Sequence, residues 1–396
     1  MAGKMSQKFG RVKTLIGNEI FIILLYGLMF VENLYAVYLT RFLSGITVGF
    51  LMTCGPCINS EMMPSNLKVA YGVLFYNMIC LPIMINSGIS LLFLDSDVYK
   101  EDTMTKNWRF FLCWPIVVNI IRLIIHLLWY KEDTVQFYFE KYGVNQYSLE
   151  QSKKSLEKIY TKEDSVIAQE YLIKEHENKL KEPKISFKAL FTKNWRKAVF
   201  ACVLVQFFQQ FSGINFLVFY SVKIFNDIGQ NGALATFILM TANFLGSILA
   251  IFTNEKFGRK INVVIGILIQ GIAIWGFSMM IYFQWFVLIY PACIIYMVAF
   301  AVGCGGASFI WCAETLPPVG VGLVMSSQWL FTAIIGMSVP ILSKKLGVLT
   351  LCTFFTAGCI IGCLILDWLT KETKGKNSSE IKKEYLNGKY KPFDLF

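Results

Sequence analysis

Gln209-Gln210-Phe211-Ser212-Gly213-Ile214-Asn215 lies inside an apolar run extending from Ala198 to Tyr220, so its three amides sit in a segment otherwise composed to avoid water. Burying an amide in hydrocarbon without a partner costs roughly 2–7 kcal/mol, so amides placed together there need something to bind. On an unbroken helix Gln209 and Gln210 point about 100° apart and Asn215 points away from both. A shared ligand therefore requires the helix to loosen near Ser212-Gly213. The stretch predicts a polar binding site at a helix break inside a membrane span.

The surrounding composition agrees. Hydrophobic residues make up 55% of the 396-residue chain and charged residues only 16%, which takes it out of the soluble globular class. From Ile261 to Ala313 there is no Asp, Glu, Lys or Arg. As helix that run is about 80 Å long, enough for two crossings of a hydrocarbon core about 30 Å thick. The net charge of +11 comes largely from segments between apolar runs, as expected for charge that orients a chain in a lipid bilayer and not for nucleic-acid binding. The eleven cysteines all fall in apolar runs and read as small thiols, with no disulfide framework. Cys359 and Cys363 share a helical spacing but have no His or carboxylate neighbours, so no metal site is expected. No catalytic set of Ser/His, paired Asp or metal ligands lies in the spans, and no cofactor is implied. The opening thirteen residues are basic and polar, unlike a cleavable signal peptide.

Ten apolar runs are candidate spanning helices: 15–37, 40–60, 69–94, 108–130, 197–222, 232–254, 261–282, 286–312, 323–343 and 347–368. With the N-terminus inside, the short internal segments carry 15 Lys and Arg against seven outside, leaving aside the fourteen in 131–197. Both termini are therefore expected to be cytoplasmic. The sequon at Asn377 falls in the internal tail and is expected to be unmodified. Four segments result: 1–130 with four helices, a charged cytoplasmic helical insert over 131–196, 197–370 with six helices, and a cytoplasmic tail over 371–396. In the insert, Ser148 with Gln151 resembles a capping box, with Leu149, Leu156, Ile159 and Tyr160 following at helical spacing. Thr161 with Asp164 starts a second short helix carrying Val166, Ile167 and Tyr171.

Two motifs repeat across the insert. Lys8-Phe9-Gly10-Arg11 returns as Lys256-Phe257-Gly258-Arg259, 248 residues later, and the Glu-x-x-Pro at Glu61 returns at Glu314, 253 residues later. Two motifs in the same order at nearly one offset imply two homologous halves, an arrangement of transporters with a midplane site.

These residues resemble the sugar porters of the major facilitator superfamily, which include facilitative glucose carriers and proton-coupled hexose symporters. The likeness runs through Lys8 to Arg11, Arg41-Phe42-Leu43-Ser44-Gly45, Glu61, Trp108-Arg109, the QQFSGIN stretch at 209–215, Tyr220-Ser221, Glu255 to Arg259, Trp329 and Glu372-Thr373-Lys374-Gly375. It implies an all-α membrane protein with two pseudo-repeated halves, having ten helices where the family has twelve. On that alignment Met1 falls near the end of the family's second helix, so the first two helices are expected to be absent. The resemblance implies sugar-hydroxyl contacts from Gln209, Gln210, Asn215 and Asn243, an aromatic floor from Trp329 and an extracellular gate at Tyr220. It departs from the family's pattern at Tyr76, where a sugar-contacting Gln is usual, at Phe309 for Trp, at Ala301 for an acid and at Gln328 for Asn.

A sugar offers several hydroxyls and two apolar ring faces, so a dry site needs amides and aromatic surface, and this chain offers both. The amides could instead hold helices to one another. Arg11, Glu61, Lys68, Glu255, Arg259, Glu314 and Glu372 are expected to form cytoplasmic charge pairs that hold the halves together and break on switching, or alternatively to anchor helices at the interface. Arg122 lies close enough to the inner boundary to snorkel, and with His126 four residues on it offers a proton relay as the alternative. Gly303, Gly305 and Gly306 mark a flexible or closely packed point. The expected function is movement of a hexose or related sugar across the plasma membrane by alternating access, facilitated or proton-coupled. A transport-dead sugar sensor, a truncated paralogue and a polyol transporter are the alternatives.

Overall fold

The computed structural model describes residues 2–31, 33–62, 68–93, 113–181, 185–376 and 378–387, and among them there are helices and turns but no strand. Two compact units divide the chain: Met1–Gly72 with Asp97–Pro183, and Val73–Ser96 with Lys184–Phe396. The insert thus belongs to the first unit as far as Pro183, and residues 73–96 are counted with the second.

The helices of the first unit are α1 (Ala2–Phe9), α2 (Arg11–Leu28), α3 (Leu34–Met62), the start of α4 (Lys68–Phe93), α5 (Pro115–Leu128), α6 (Val135–Tyr142), α7 (Gln146–Leu156) and α8 (Lys162–Lys181). The second unit takes most of α4, then α9 (Arg196–Phe211), α10 (Ile214–Asp227), α11 (Gly232–Phe257), α12 (Arg259–Tyr282) and α13 (Phe286–Phe300). A π-helical turn at Ala301–Ala307 leads into α14 (Ser308–Thr315), followed by α15 (Pro318–Leu369) and α16 (Ser378–Asn387). Residues 108–112, where the fourth expected span begins, lie outside the described residues.

Six helical stretches among the described residues are long and apolar enough to cross a membrane: Leu34–Asn59, Arg196–Asp227, Gly232–Phe257, Arg259–Tyr282, Phe286–Thr315 and Pro318–Leu369. Shorter apolar helices occupy Tyr76–Leu92 and Pro115–Leu128. The 52-residue α15 bends at Gly347, whose φ of 79° leaves the helical region, so the ninth and tenth expected runs join there with no intervening loop. Large apolar side chains such as Leu24, Phe252, Ile272 and Val287 face outward, while Gln206, Gln209, Asn254 and Gln270 are buried. That inversion of the soluble pattern is what a hydrocarbon solvent imposes. Proline is carried inside α3, α4, α13 and α15, as spanning helices tolerate.

The insert packs as a small helical cap on the first unit. Met62, Val135, Phe139, Leu156 and Leu172 form its core. Tyr160 Oη donates to the Met62 carbonyl at 2.8 Å and Ser155 Oγ to the Asp133 carbonyl at 2.8 Å, tying it to the end of α3 and the start of the insert. Its capping box falls three residues earlier than the sequence pattern suggests. Asn145 is the cap, its side chain accepting from Ser148 N at 2.8 Å while Ser148 Oγ accepts from Asn145 N at 2.9 Å. Asparagine accepts as well as serine does, and Ser148 serves in the place usually held by Glu or Gln. Ile159, in the turn before α8, is exposed, as are Val166, Ile167 and Tyr171, because α8 turns the face of Ser165, Leu172 and His176 inward.

Candidate functional site

The QQFSGIN stretch breaks where its amides require. α9 ends at Phe211, Ser212 caps it, and Gly213 adopts a left-handed φ of 92° before α10 begins at Ile214. A Cβ on Gly213 would lie 2.7 Å from Ile274 Cδ1 and 2.8 Å from Phe355 Cδ2, so the turn has room only for glycine. Ser212 Oγ and Tyr296 Oη stand 3.1 Å apart and fix the break against α13. Across it, Asn215 Nδ2 donates to Gln210 Oε1 at 2.8 Å.

Gln209 is turned elsewhere. Its Nε2 donates to the Cys304 carbonyl at 2.7 Å, in the π-helical turn. The same turn receives Gln270, whose Nε2 donates to Cys304 Sγ at 3.4 Å, and it packs Tyr76 against Gly305, where any side chain would collide with the phenol. Tyr76 and Phe309, both departures from the family's pattern, are neighbouring rings with centroids 6.2 Å apart. π-Bulges of this kind gather at functional sites because they release carbonyls from the helical ladder.

Among the described residues the buried amide oxygens Gln206 Oε1, Gln209 Oε1, Asn243 Oδ1, Gln270 Oε1 and Gln328 Oε1 have no hydrogen-bond partner. An orphaned buried amide costs about 1–3 kcal/mol, so a set of them marks acceptors waiting for a donor. Of the expected substrate residues, the fold pairs Gln210 with Asn215 and sets Gln209 on the π turn. Asn243 is buried and bonded to none of them, and Trp329 is 53% exposed. Tyr220 Oη donates to the Gly336 carbonyl at 2.9 Å, joining α10 to α15. Gln206 and Gln270 did not stand out in the sequence, although an amide inside a run without charge was the signal for both.

The charged residues form one network in each unit. In the first, Arg11 Nη2 meets Glu61 Oε1 at 3.0 Å and Glu140 Oε2 at 2.9 Å, and Thr134 Oγ1 donates to Glu61 Oε2. Asp133 Oδ1 accepts from the backbone N–H of Arg11 at 2.5 Å and of Val12 at 3.0 Å. In the second, Arg259 Nη2 meets Glu314 Oε1 at 2.8 Å, and Glu372 accepts from the backbone N–H of Arg259 at 2.9 Å and of Lys260 at 3.0 Å. Burial pushes the carboxyls of Glu61 and Asp133 up, opposed at Glu61 by Arg11 and at Asp133 by the Val12 and Arg11 amides. Glu255 is exposed and outside these pairs, and the Lys68 side chain lies outside the described residues. Each described pair closes within its own unit.

Two further ion pairs with a buried carboxylate were not anticipated. Lys260 Nζ meets Asp367 Oδ1 at 2.9 Å. Fully buried Glu19 holds Arg122 at 2.5 Å and His126 Nδ1 at 2.9 Å, so Arg122 turns inward to a carboxylate and does not simply reach for the interface. Among the described residues no cluster of metal-ligating side chains occurs.

Residues 1–385 match the profile of the family described as "Sugar (and other) transporter". Hexose transporter 1 of Plasmodium yoelii yoelii is 29% identical over 394 residues, covering 93% of this chain and 76% of that one. The galactose-proton symporter of Escherichia coli K12 is 26% identical over 409 residues, covering 98% and 83%. Among solved structures, the inward-open xylose transporter XylE from E. coli superposes with a TM-score of 0.77 at 20% identity, over 96% of this chain and 84% of that one. The proton:xylose symporter XylE bound to 6-bromo-6-deoxy-D-glucose, a member of the major facilitator superfamily, gives 0.75 at 20% identity. At such identity the structural likeness speaks for the fold.

Proposed function

This chain belongs to the family of sugar (and other) transporters, and from that membership we propose that it carries a hexose or a closely related sugar by alternating access. As a member it is a multi-pass membrane transporter and not an enzyme. We read ten spanning helices within its 396 residues, counting α2, α4 and α5 and dividing α15 at Gly347. Gln209, Gln210, Asn215 and Asn243 are the proposed hydroxyl-binding residues, Trp329 the aromatic surface, and Tyr220 the gate. The two cytoplasmic networks bias the conformational equilibrium. Both termini face the cytoplasm, the plasma membrane is the proposed location, and the galactose-proton relative makes a proton the proposed second cargo.

The observation that carries the reading is the set of buried, unpartnered amide oxygens in the second unit. Amide oxygens accept, and sugar hydroxyls donate several hydrogen bonds at once. The test is uptake of radiolabelled hexose by proteoliposomes containing the whole chain. Saturable uptake above empty vesicles, reduced in Gln209→Ala and Asn215→Ala, is expected. Sugar binding without uptake would replace the carrier by a sensor. An inward pH gradient that drives accumulation would establish the proton.

A further inference from the structure

A cavity of about 260 Å³ opens in the first unit where α2 begins and α5 has just ended, and none of the proposed sugar residues lines it. Three lysines from different stretches of chain line it: Lys13 in the first turn of α2, Lys131 three residues past α5, and Lys141 on α6. Lys13 and Lys131 have no ion-pair partner among the described residues. Among the described residues Lys141 Nζ donates only to the Lys8 carbonyl, at 3.3 Å, and lies 5.2 Å from the Phe137 ring centroid and 5.3 Å from that of Tyr142. Lysine carries three donors, so its ammonium retains capacity toward the cavity.

Two acids also line the cavity. Glu132 and Asp133 set two carboxylates against the three cations, and Asp133 Oδ1 accepts from the Arg11 and Val12 amides, which leaves one positive charge in excess. The surplus positive charge sits among the rings of Tyr138, Tyr142 and Tyr147. Depth is the second observation. Lys13 and Lys131 flank the ends of two apolar helices, and Phe9 and Trp129, at the same ends, are 51% and 61% exposed. Exposed aromatics beside lysines at helix ends mark the headgroup layer.

We propose that this cavity binds the phosphomonoester headgroup of an anionic lipid. A phosphomonoester carries about −1.5 to −2 charge at neutral pH and three acceptor oxygens, matching the lysine surplus better than a zwitterionic phosphodiester does. Because Asp133 both lines the cavity and pins the first amides of α2, an occupant lies directly beside the Arg11–Glu61 network.

The test uses the full chain purified in detergent, with lipid retention read by native mass spectrometry. Phosphatidic acid should be retained at least tenfold more tightly than phosphatidylcholine, and Lys13→Gln/Lys131→Gln should lower that preference by roughly 30-fold or to nothing, at about fivefold for each lysine. Lys13→Arg/Lys131→Arg keeps the charge and should keep the preference, which separates loss of the site from loss of the fold. Glycerol 3-phosphate, the soluble source of the same chemistry, should compete only weakly. Lysine-dependent binding of glycerol 3-phosphate without retention of phosphatidic acid would overturn the lipid source. Equal retention of the two lipids, or a preference that survives the double Gln variant, would overturn the proposal.

Discussion

The two units begin a helix in the same way and then diverge. Gly10 and Gly258, with φ of 109° and 91°, each turn the chain so that the next two amides meet one carboxylate, Asp133 in the first unit and Glu372 in the second. Each following arginine reaches a glutamate from another helix, Glu61 or Glu314. The interiors differ. The second unit keeps a broken helix, a π turn and unpartnered amides, whereas the first sets Arg122 and His126 on the fully buried Glu19. The comparison teaches that the two units share their helix-end turns and differ in what they bury, with the unpartnered amide oxygens in the second.

The largest expected effect tests the shared turn. In Gly10→Ala the new methyl would collide with the Asp133 carboxylate, and in Gly258→Ala it would stand 2.6 Å from Glu372 Oε2. Each combines backbone strain with the loss of charge-assisted hydrogen bonds, about 3–5 kcal/mol together. Gly143→Ala, at φ 72° with open space around it, isolates the strain and should cost about 1–3 kcal/mol. Melting temperatures in detergent compare the three; similar losses would dissolve the common design.

The glutamates come next. Glu61 is 13% exposed and bonded to Arg11 and Thr134, while Glu314 is 25% exposed and bonded to Arg259 alone. Glu61→Gln should cost about 3 kcal/mol and Glu314→Gln about 1 kcal/mol, read from the same melts. A reversed order would show the second network to be the stronger. In transport, Gln209→Ala removes one neutral hydrogen bond to the π turn and should lower hexose uptake about fivefold.

The smallest effect is on pH. Since burial raises the carboxyls of Glu61 and Asp133, the folded chain holds their protons to higher pH than the unfolded chain does. Their contribution is full in acid and falls as pH rises through the folded values. Melting temperatures from about pH 4 to about pH 7 should show a shallower fall in Glu61→Gln than in the natural chain; parallel curves would remove Glu61 from that slope.

Much of this was legible in the sequence. Three amides and a glycine in an apolar run announced the break at Gly213, while the two repeated motifs singled out Arg11, Glu61, Arg259 and Glu314 without saying which would pair. Asp133 was hidden because its partners are main-chain amides, which carry no residue signature, and because it sits among many other acids. The turning of Gln209 toward Cys304 depends on a π turn whose three glycines signalled looseness but not which carbonyl would be released. Glu19 could have been found, since a lone carboxylate in an apolar run needs a cation, and Arg122 was the available one.

The central claim, that recognition resides in the second unit, is tested most directly by equilibrium binding of labelled hexose to the purified chain. Asn215→Ala, which breaks the pair with Gln210, should weaken binding by about fivefold to tenfold. Asn18→Ala removes a buried amide of the first unit that donates to the Thr47 carbonyl, and should leave affinity unchanged. Affinity unaffected by Asn215→Ala and lost in Asn18→Ala would contradict the account.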